Sequence, residues 1–265
     1  MFDPMYDQAA GLRSVVTLAG IKLVPVVLSR DADVAFDLVW ILGTGLSTLG
    51  HTVVALDATC REQAGRPGLA QQLQTPTAAA QGGETSHWHI MPSQSGLSTL
   101  MHTAQTLGAK AAQARLVALF PPEAVVLVLA PKEWLSVLFE ESAARPLVPF
   151  TLEPSGVVDA YSAIKVLYQA GGLQPVLVPV KSDVPDTLER QGLNVLTDTA
   201  HAHLGWAPDC WPLPPTGPGD SRDALSQWML RIQESALALD EGCNPQPSWH
   251  TPHQREALVP QLWSC

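Results

Sequence analysis

The stretch VVLSRDADVAFDLVWILGTGLSTLGHTVVALDAT, Val26 to Thr59, decides the architecture. It runs through an apolar strand, a short loop, an amphipathic segment closing on Leu-Gly-His, and a second apolar strand that stops at Asp57. Two apolar runs separated by a helix-length segment predict parallel strands over 22–29 and 51–57 with a crossover helix over 37–49. Units of this kind hold nucleotides where the first strand turns into the helix, because glycines there let backbone N–H groups converge on a phosphate. Here that turn offers Arg30, Asp31, Ala32, Asp33, Val34, Ala35 and Phe36, with no glycine, no lysine and two carboxylates.

The same alternation continues outward. AVVLVLA, 124–130, is continuous and rich in valine, the pattern of a strand covered on both faces. LVPFTLEP (147–154), a helix over 157–168 and PVLVPVKS (175–182) repeat strand and helix, so the chain reads as α/β, a mostly parallel doubly wound sheet flanked by helices. Between the first pair and the 124–130 strand lie a low-complexity loop from 61 to 86, the strand HWHIM and a helix over 96–114. An amphipathic helix over 221–239 places Leu225, Trp228, Met229, Ile232 and Leu239 on one side. The domain is expected to span 21–242, preceded by a helix within 1–20 and followed by a disordered Pro- and His-containing tail over 243–265.

Composition bounds the function. At 265 residues and 46% hydrophobic content the chain suits one α/β domain, and a net charge of −10 lacks the basic footprint of a nucleic-acid binder. Cys60, Cys210, Cys243 and Cys265 form no CxxC pair, and His87, His89, His201, His203, His250 and His253 form no tetrahedral ligand set, so no metal is expected. The acidic start MFDPMYDQ lacks a signal-peptide pattern, and no apolar run approaches the roughly 18 residues of a membrane span, so a cytoplasmic protein is expected. The 221–241 stretch carries Arg222 and Arg231 against Asp223, Glu234, Asp240 and Glu241, a poor balance for anionic lipid, so its helix should pack on its own sheet with Trp228 in the core.

Several stretches together resemble the MinD/ParA-like deviant P-loop ATPases, most closely their flagellar-number regulator branch, FlhG or FleN. DQAAGLR (7–13) resembles that branch's N-terminal segment, GHTVVALDA (50–58) its strand ending in DAD, and IMPSQSGLSTL (90–100) its Ser/Gly-rich turn. LEPSGVVDAYSAIKVL (152–167) resembles its TPEPTSxxDAYALIKxL block, and LGWAPD (204–209) its LGYIPxD; the likeness covers residues 7 to 209. It implies a MinD-like P-loop NTPase fold.

Laid onto the family's KGGVGKT loop, this chain puts Arg30 at the signature lysine, Ala35 at the phosphate-binding lysine and Phe36 at the magnesium-binding hydroxyl, while Asp31 and Asp33 add negative charge. DAD becomes Asp57-Ala58-Thr59, and the strand that should end in an aspartate reads VLVLAPKEW. Asp57 reads better as a strand-end carboxylate holding a loop than as a catalytic group. The expectation is a degenerate nucleotide site, no cofactor, a pseudo-ATPase, and a monomer, because the family dimerises across bound ATP.

The resemblance gives DQAAGLR a different standing. It implies a helix that binds the flagellar GTPase FlhF and stimulates GTP hydrolysis, with Gln8 ordering the partner's catalytic centre, Asp7 and Arg13 making polar contacts and Leu12 filling an apolar groove. A flagellar transcriptional regulator as a further partner and recruitment to the cell pole follow from the same likeness. The competing expectations are an ATP-binding ATPase with an atypical loop and a MinD-like accessory protein of cellulose secretion or cell-division placement.

Overall fold

The computed structural model describes residues 20–63, 65–75, 88–180, 186–214 and 221–239. Asp7, Gln8, Leu12, Arg13, the 1–20 helix as such and the 243–265 tail lie outside them. The described residues form one sheet of eight strands: β1 (Ile21–Val27), β2 (Val53–Asp57), β3 (Trp88–Pro92), β4 (Val125–Ala130), β5 (Leu147–Phe150), β6 (Val176–Pro179), β7 (Asp209–Cys210) and β8 (Leu237–Leu239). Seven run parallel in the order β3-β2-β4-β1-β5-β6-β7, and β8 lies antiparallel against β1.

Both faces are covered. Eight helices are described: α1 (Ala32–Thr48), α2 (Leu69–Gln74), α3 (Gln94–Leu107), α4 (Ala109–Val117), α5 (Lys132–Leu138), α6 (Pro154–Gly171), α7 (Asp186–Leu204) and α8 (Ser221–Ser235). Every residue of β4 is buried, and successive ones feed opposite layers. Val126, Val128 and Ala130 pack with Leu97, Leu100, Ile164 and Leu167, whereas Val125, Leu127 and Leu129 pack with Leu38, Leu42 and Met229. At about 25 cal/mol per Å² of apolar surface removed from water, these two layers are the principal source of stability. Trp228, Met229 and Ile232 are buried against the α1 side of the sheet, so α8 is a core helix.

Several expected boundaries shift, each for a local reason. The crossover helix starts at Ala32 instead of 37, because the Asp31 carboxylate caps it by accepting from the Asp33 N–H at 3.2 Å. The single helix expected over 96–114 is two, broken where Gly108 adopts φ 89°. The last helix ends at Ser235, and Leu237–Leu239 turn into a strand, so Leu239 pairs with Ile21 and is not on the helix's apolar side. The 61–86 stretch contains α2, nucleated around a fully buried Leu69, and α5 and α7 fall where no helix was expected.

Pro25 shows why β8 is there. Along β1 the N–H groups of Lys22 and Leu28 donate to Ala124 and Ala130 on the β4 side, so by alternation Pro25 turns its missing donor to the other edge. On that edge β1 pairs with β8 over residues 21–23 and with β5 at Val26, and Pro25 falls between the two partners, where no donor is required.

Two glycines of α1 separate steric need from accident. A Cβ at Gly43 would lie 2.5–2.8 Å from the body of the Trp88 indole, which Trp40 braces edge-on at 5.1 Å; a Cβ at Gly45 would meet the flexible end of Met229. Gly45→Ala is therefore expected to be neutral or stabilising by up to about 1 kcal/mol, as alanine favours helix. Gly43→Ala should instead lose about 1–3 kcal/mol through overpacking, with urea denaturation of the two variants as the measurement.

Candidate functional site

The crossover connections rise from β1 to β2 on one side and from β4 to β5 on the other, so the sheet's switch point lies at the carboxyl end of β1. Ligands of doubly wound sheets bind in the crevice outside this point. A cleft of about 90 Å³ opens here, walled by Ser29, Arg30, Asp31, Phe150, Glu153 and Asp159 among others. Its volume falls well short of the roughly 300–1,000 Å³ usual for ligand pockets.

The loop that forms one wall is held from inside the chain. Only Leu28–Asp31 connect β1 to α1. Ser29 Oγ donates to the Asp31 carbonyl at 2.6 Å, and Asp31 Oδ1 receives the Asp33 N–H. A carboxylate thus takes the position at the helix N-terminus that an anionic ligand would take, with the same attraction to the unpaired N–H groups and the helix dipole. Asp33 adds a second exposed carboxylate in the first turn.

Asp159 ties this loop to two neighbours. Its Oδ2 accepts from the Arg30 backbone N–H at 2.8 Å, and its Oδ1 lies 3.7 Å from Lys132 Nζ at the start of α5. One side chain from α6 therefore clamps the connections that follow β1 and β4. Gly156 lets α6 come this close, since a Cβ there would meet the carbonyl and hydroxyl oxygens of Thr151. The DAY block was conspicuous in the sequence, yet the contact across 129 positions had no sequence signal.

Of the residues aligned with the phosphate loop, the structure brings Arg30 and Asp31 to the cleft, leaves Asp33 exposed in the first turn of α1, and takes two away. Ala35 is fully buried at the close of the first turn of α1, and Phe36 is half-buried against the α1-side core. Neither faces the cleft as the lysine or hydroxyl of a phosphate loop would. Asp57 is buried, and its Oδ1 accepts from the Thr59 N–H at 2.8 Å and the Thr59 hydroxyl at 2.6 Å. Through these two bonds it holds the turn after β2.

A second carboxylate occupies helix N-termini nearby. Glu62 Oε2 accepts from the Ser95 N–H and Oε1 from the Gly96 N–H, both at 2.8 Å, and Oε1 also accepts from the Ala70 N–H at 3.3 Å. Glu62 joins the starts of α2 and α3 and accounts for the Ser/Gly-rich turn after β3. Partial burial pushes its pKa upward, but the hydrogen bonds from Ser95 and Gly96 outweigh that and hold the carboxyl below the ordinary range. Among the described residues no group of three or more His, Cys, Asp or Glu side chains is placed to hold a metal ion, and no helix is long and apolar enough to cross a membrane.

No known family's sequence profile matches the chain, and no curated protein matches it by sequence. By structure it resembles the ATP complex of a point variant of Cyanothece McdA, with TM-score 0.52, 13% identity and coverage of 82% of this chain and 96% of that one. It also resembles cobyrinic acid a,c-diamide synthase from Mycobacterium smegmatis with bound ADP and magnesium, with TM-score 0.52, 16% identity and coverage of 83% and 99%. The MinC:MinD cell division protein complex of Aquifex aeolicus gives TM-score 0.50, 11% identity and coverage of 83% and 98%. The chain has the MinD-like P-loop NTPase fold, and its structural neighbours are MinD/ParA-family P-loop ATPases.

Two stability effects follow from the carboxylates. Asp31→Ala should cost about 1 kcal/mol as the loss of a helix cap. Glu62→Ala should cost roughly 1–3 kcal/mol, since it leaves helix N–H groups unpaired. Because the folded state depresses the Glu62 pKa, its contribution is complete above the ordinary carboxylate range and is lost as pH falls through the folded value. Denaturant midpoints across acidic pH should show the wild type and Glu62→Ala converging as the pH drops.

Proposed function

We propose that this chain is a non-catalytic MinD-like regulator, a pseudo-ATPase whose sheet serves as a scaffold and whose action is protein contact. The observation that carries this reading is the four-residue β1–α1 connection closed by its own carboxylate, Asp31. A nucleotide would have to displace that cap, enter a cleft of about 90 Å³ and approach Asp31, Glu153 and Asp159 with Arg30 as the one cation among the cleft's lining residues and no loop lysine or glycine-built nest of N–H groups. The fold is retained because its core lies in the two helix layers and not in the loop.

On the likeness of residues 7–13 and 152–167 to the flagellar-number regulators, the partner is a flagellar GTPase of the FlhF type. Gln8 supplies the polar group that stimulates it, Leu12 the apolar anchor, and Asp7 and Arg13 the flanking contacts. Residue 20 leads into β1 at the end of the sheet opposite the cleft, so residues 1–19 join the domain away from the degenerate loop. The protein acts in the cytoplasm as a monomer, recruited to the pole by its partner, with a flagellar transcriptional regulator as a further partner. An accessory role in another MinD-like system is the alternative; neighbouring flagellar genes favour the first reading, and cellulose-secretion genes the second.

Titration calorimetry with ATP and magnesium should give no binding; a dissociation constant in the micromolar range, equivalent to about 8 kcal/mol, would overturn the pseudo-ATPase reading. In a GTP turnover assay with the partner, Gln8→Ala should abolish stimulation while sparing folding, and Leu12→Asp should weaken association. Asp33→Ala should leave both intact. Retained stimulation by Gln8→Ala alongside its loss in Asp33→Ala would reverse the assignment.

A further inference from the structure

At the end of the sheet opposite the cleft, three elements meet through a chain of polar side chains. Lys22 on β1 donates from Nζ to Gln233 Oε1 at 2.9 Å, and Gln233 Nε2 lies 3.0 Å from His51 Nε2 in the α1–β2 turn. Gln233 belongs to α8 and is buried. A lysine ammonium only donates, so it fixes the amide with its oxygen toward β1 and its NH₂ toward the imidazole. His51 must then present a bare Nε2 as acceptor, which requires the neutral ring.

We propose that Lys22, Gln233 and His51 form a proton-sensitive clasp for the C-terminal strap, α8 and β8. When His51 takes up a proton, Nε2 becomes a donor facing a donor. The amide cannot turn over to relieve this, because its NH₂ would then face the Lys22 ammonium. The contact opens, and with it the hold on a strap whose β8 pairs with the first three residues of β1 and whose Met229 fits against Gly45 of α1.

The charged and titratable groups around His51 agree with the neutral state. Burial, and then the Lys22 charge, lower its affinity for a proton, against a smaller opposing pull from Glu123 ahead of β4. Since the folded state depresses the His51 value, the clasp contributes fully above the ordinary histidine range, and its contribution is lost as pH falls through the folded value. Gln233 is the group facing the ring from α8, Lys22 the one from β1 and Glu123 the one from the loop before β4. The device adds acid-triggered loosening of one strap, independent of any nucleotide.

Hydrogen exchange of the full chain, expressed as protection factors to remove the intrinsic pH dependence, tests it. Between about pH 7.5 and about pH 5 the 225–239 segment of the wild type should lose roughly threefold to tenfold protection, the worth of one hydrogen bond, while 125–130 in β4 stays unchanged. His51→Gln, with an amide oxygen that accepts at every pH, should keep high protection in the strap throughout. Gln233→Met should show low strap protection at both pH values, with no pH step; it carries the test if the His51 variant does not fold. An equal acid loss in His51→Gln or Gln233→Met, a wild type without the step, or loss spread equally into β4 would overturn the proposal.

Discussion

Everything in this molecule depends on β1 and β4 being buried on both faces. A strand in that position has no water to fall back on, so each backbone donor and acceptor must be matched sideways by another strand. β4 meets the demand with β1 and β2 along its length. β1 meets it with β4 on one edge and with two successive partners on the other, β8 and then β5. The proline at position 25 is tolerated because the change of partner falls at its missing donor. The C-terminal strap is therefore part of the central sheet and not an appendage, and α8 brings Trp228, Met229 and Ile232 into the core with it.

This arrangement explains why the fold does not rest on the switch-point loop. The loop contributes little to either apolar layer, but helix N–H groups left bare at the head of α1 would be a defect. Asp31 satisfies one of them directly, and Asp159 holds the loop from α6 while pairing with Lys132. Glu62 does the corresponding work for α2 and α3. Along the carboxyl edge of the sheet, internal carboxylates occupy helix starts that would otherwise attract an anion. Each is worth on the order of 1 kcal/mol, and each opposes the approach of phosphate at the same place.

The parts legible in the sequence were those fixed by local pattern. Continuous apolar runs located the neighbourhoods of the central strands, and their alternation with helical segments gave the doubly wound class. The absence of glycine and lysine after β1 is equally local. What escaped was set at long range or by geometry. The β8 strand is three residues long and reads as the last turn of a helix until its pairing with Ile21–Leu23 is known. The sequence shows Asp31 as a charge in a loop without glycine or lysine, whereas its capping role depends on where the helix begins. Asp159 and Glu62 act across 129 and 34 positions in their longest bonds, and no spacing rule reaches that far.

The two ends of the sheet consequently differ. At the carboxyl end, Asp31, Asp57, Glu62 and Asp159 are paired within the chain, and the cleft there is small and walled by Arg30, Asp31, Glu153 and Asp159 among others. At the amino end, the chain enters β1, the strap crosses to meet it, and Lys22, Gln233 and His51 form a network that only one protonation state satisfies. Two states of a scaffold require a contact that differs between them, since a ligand bound equally to both shifts nothing. The amino end supplies such a contact, and supplies it beside the point where residues 1–19 join the domain.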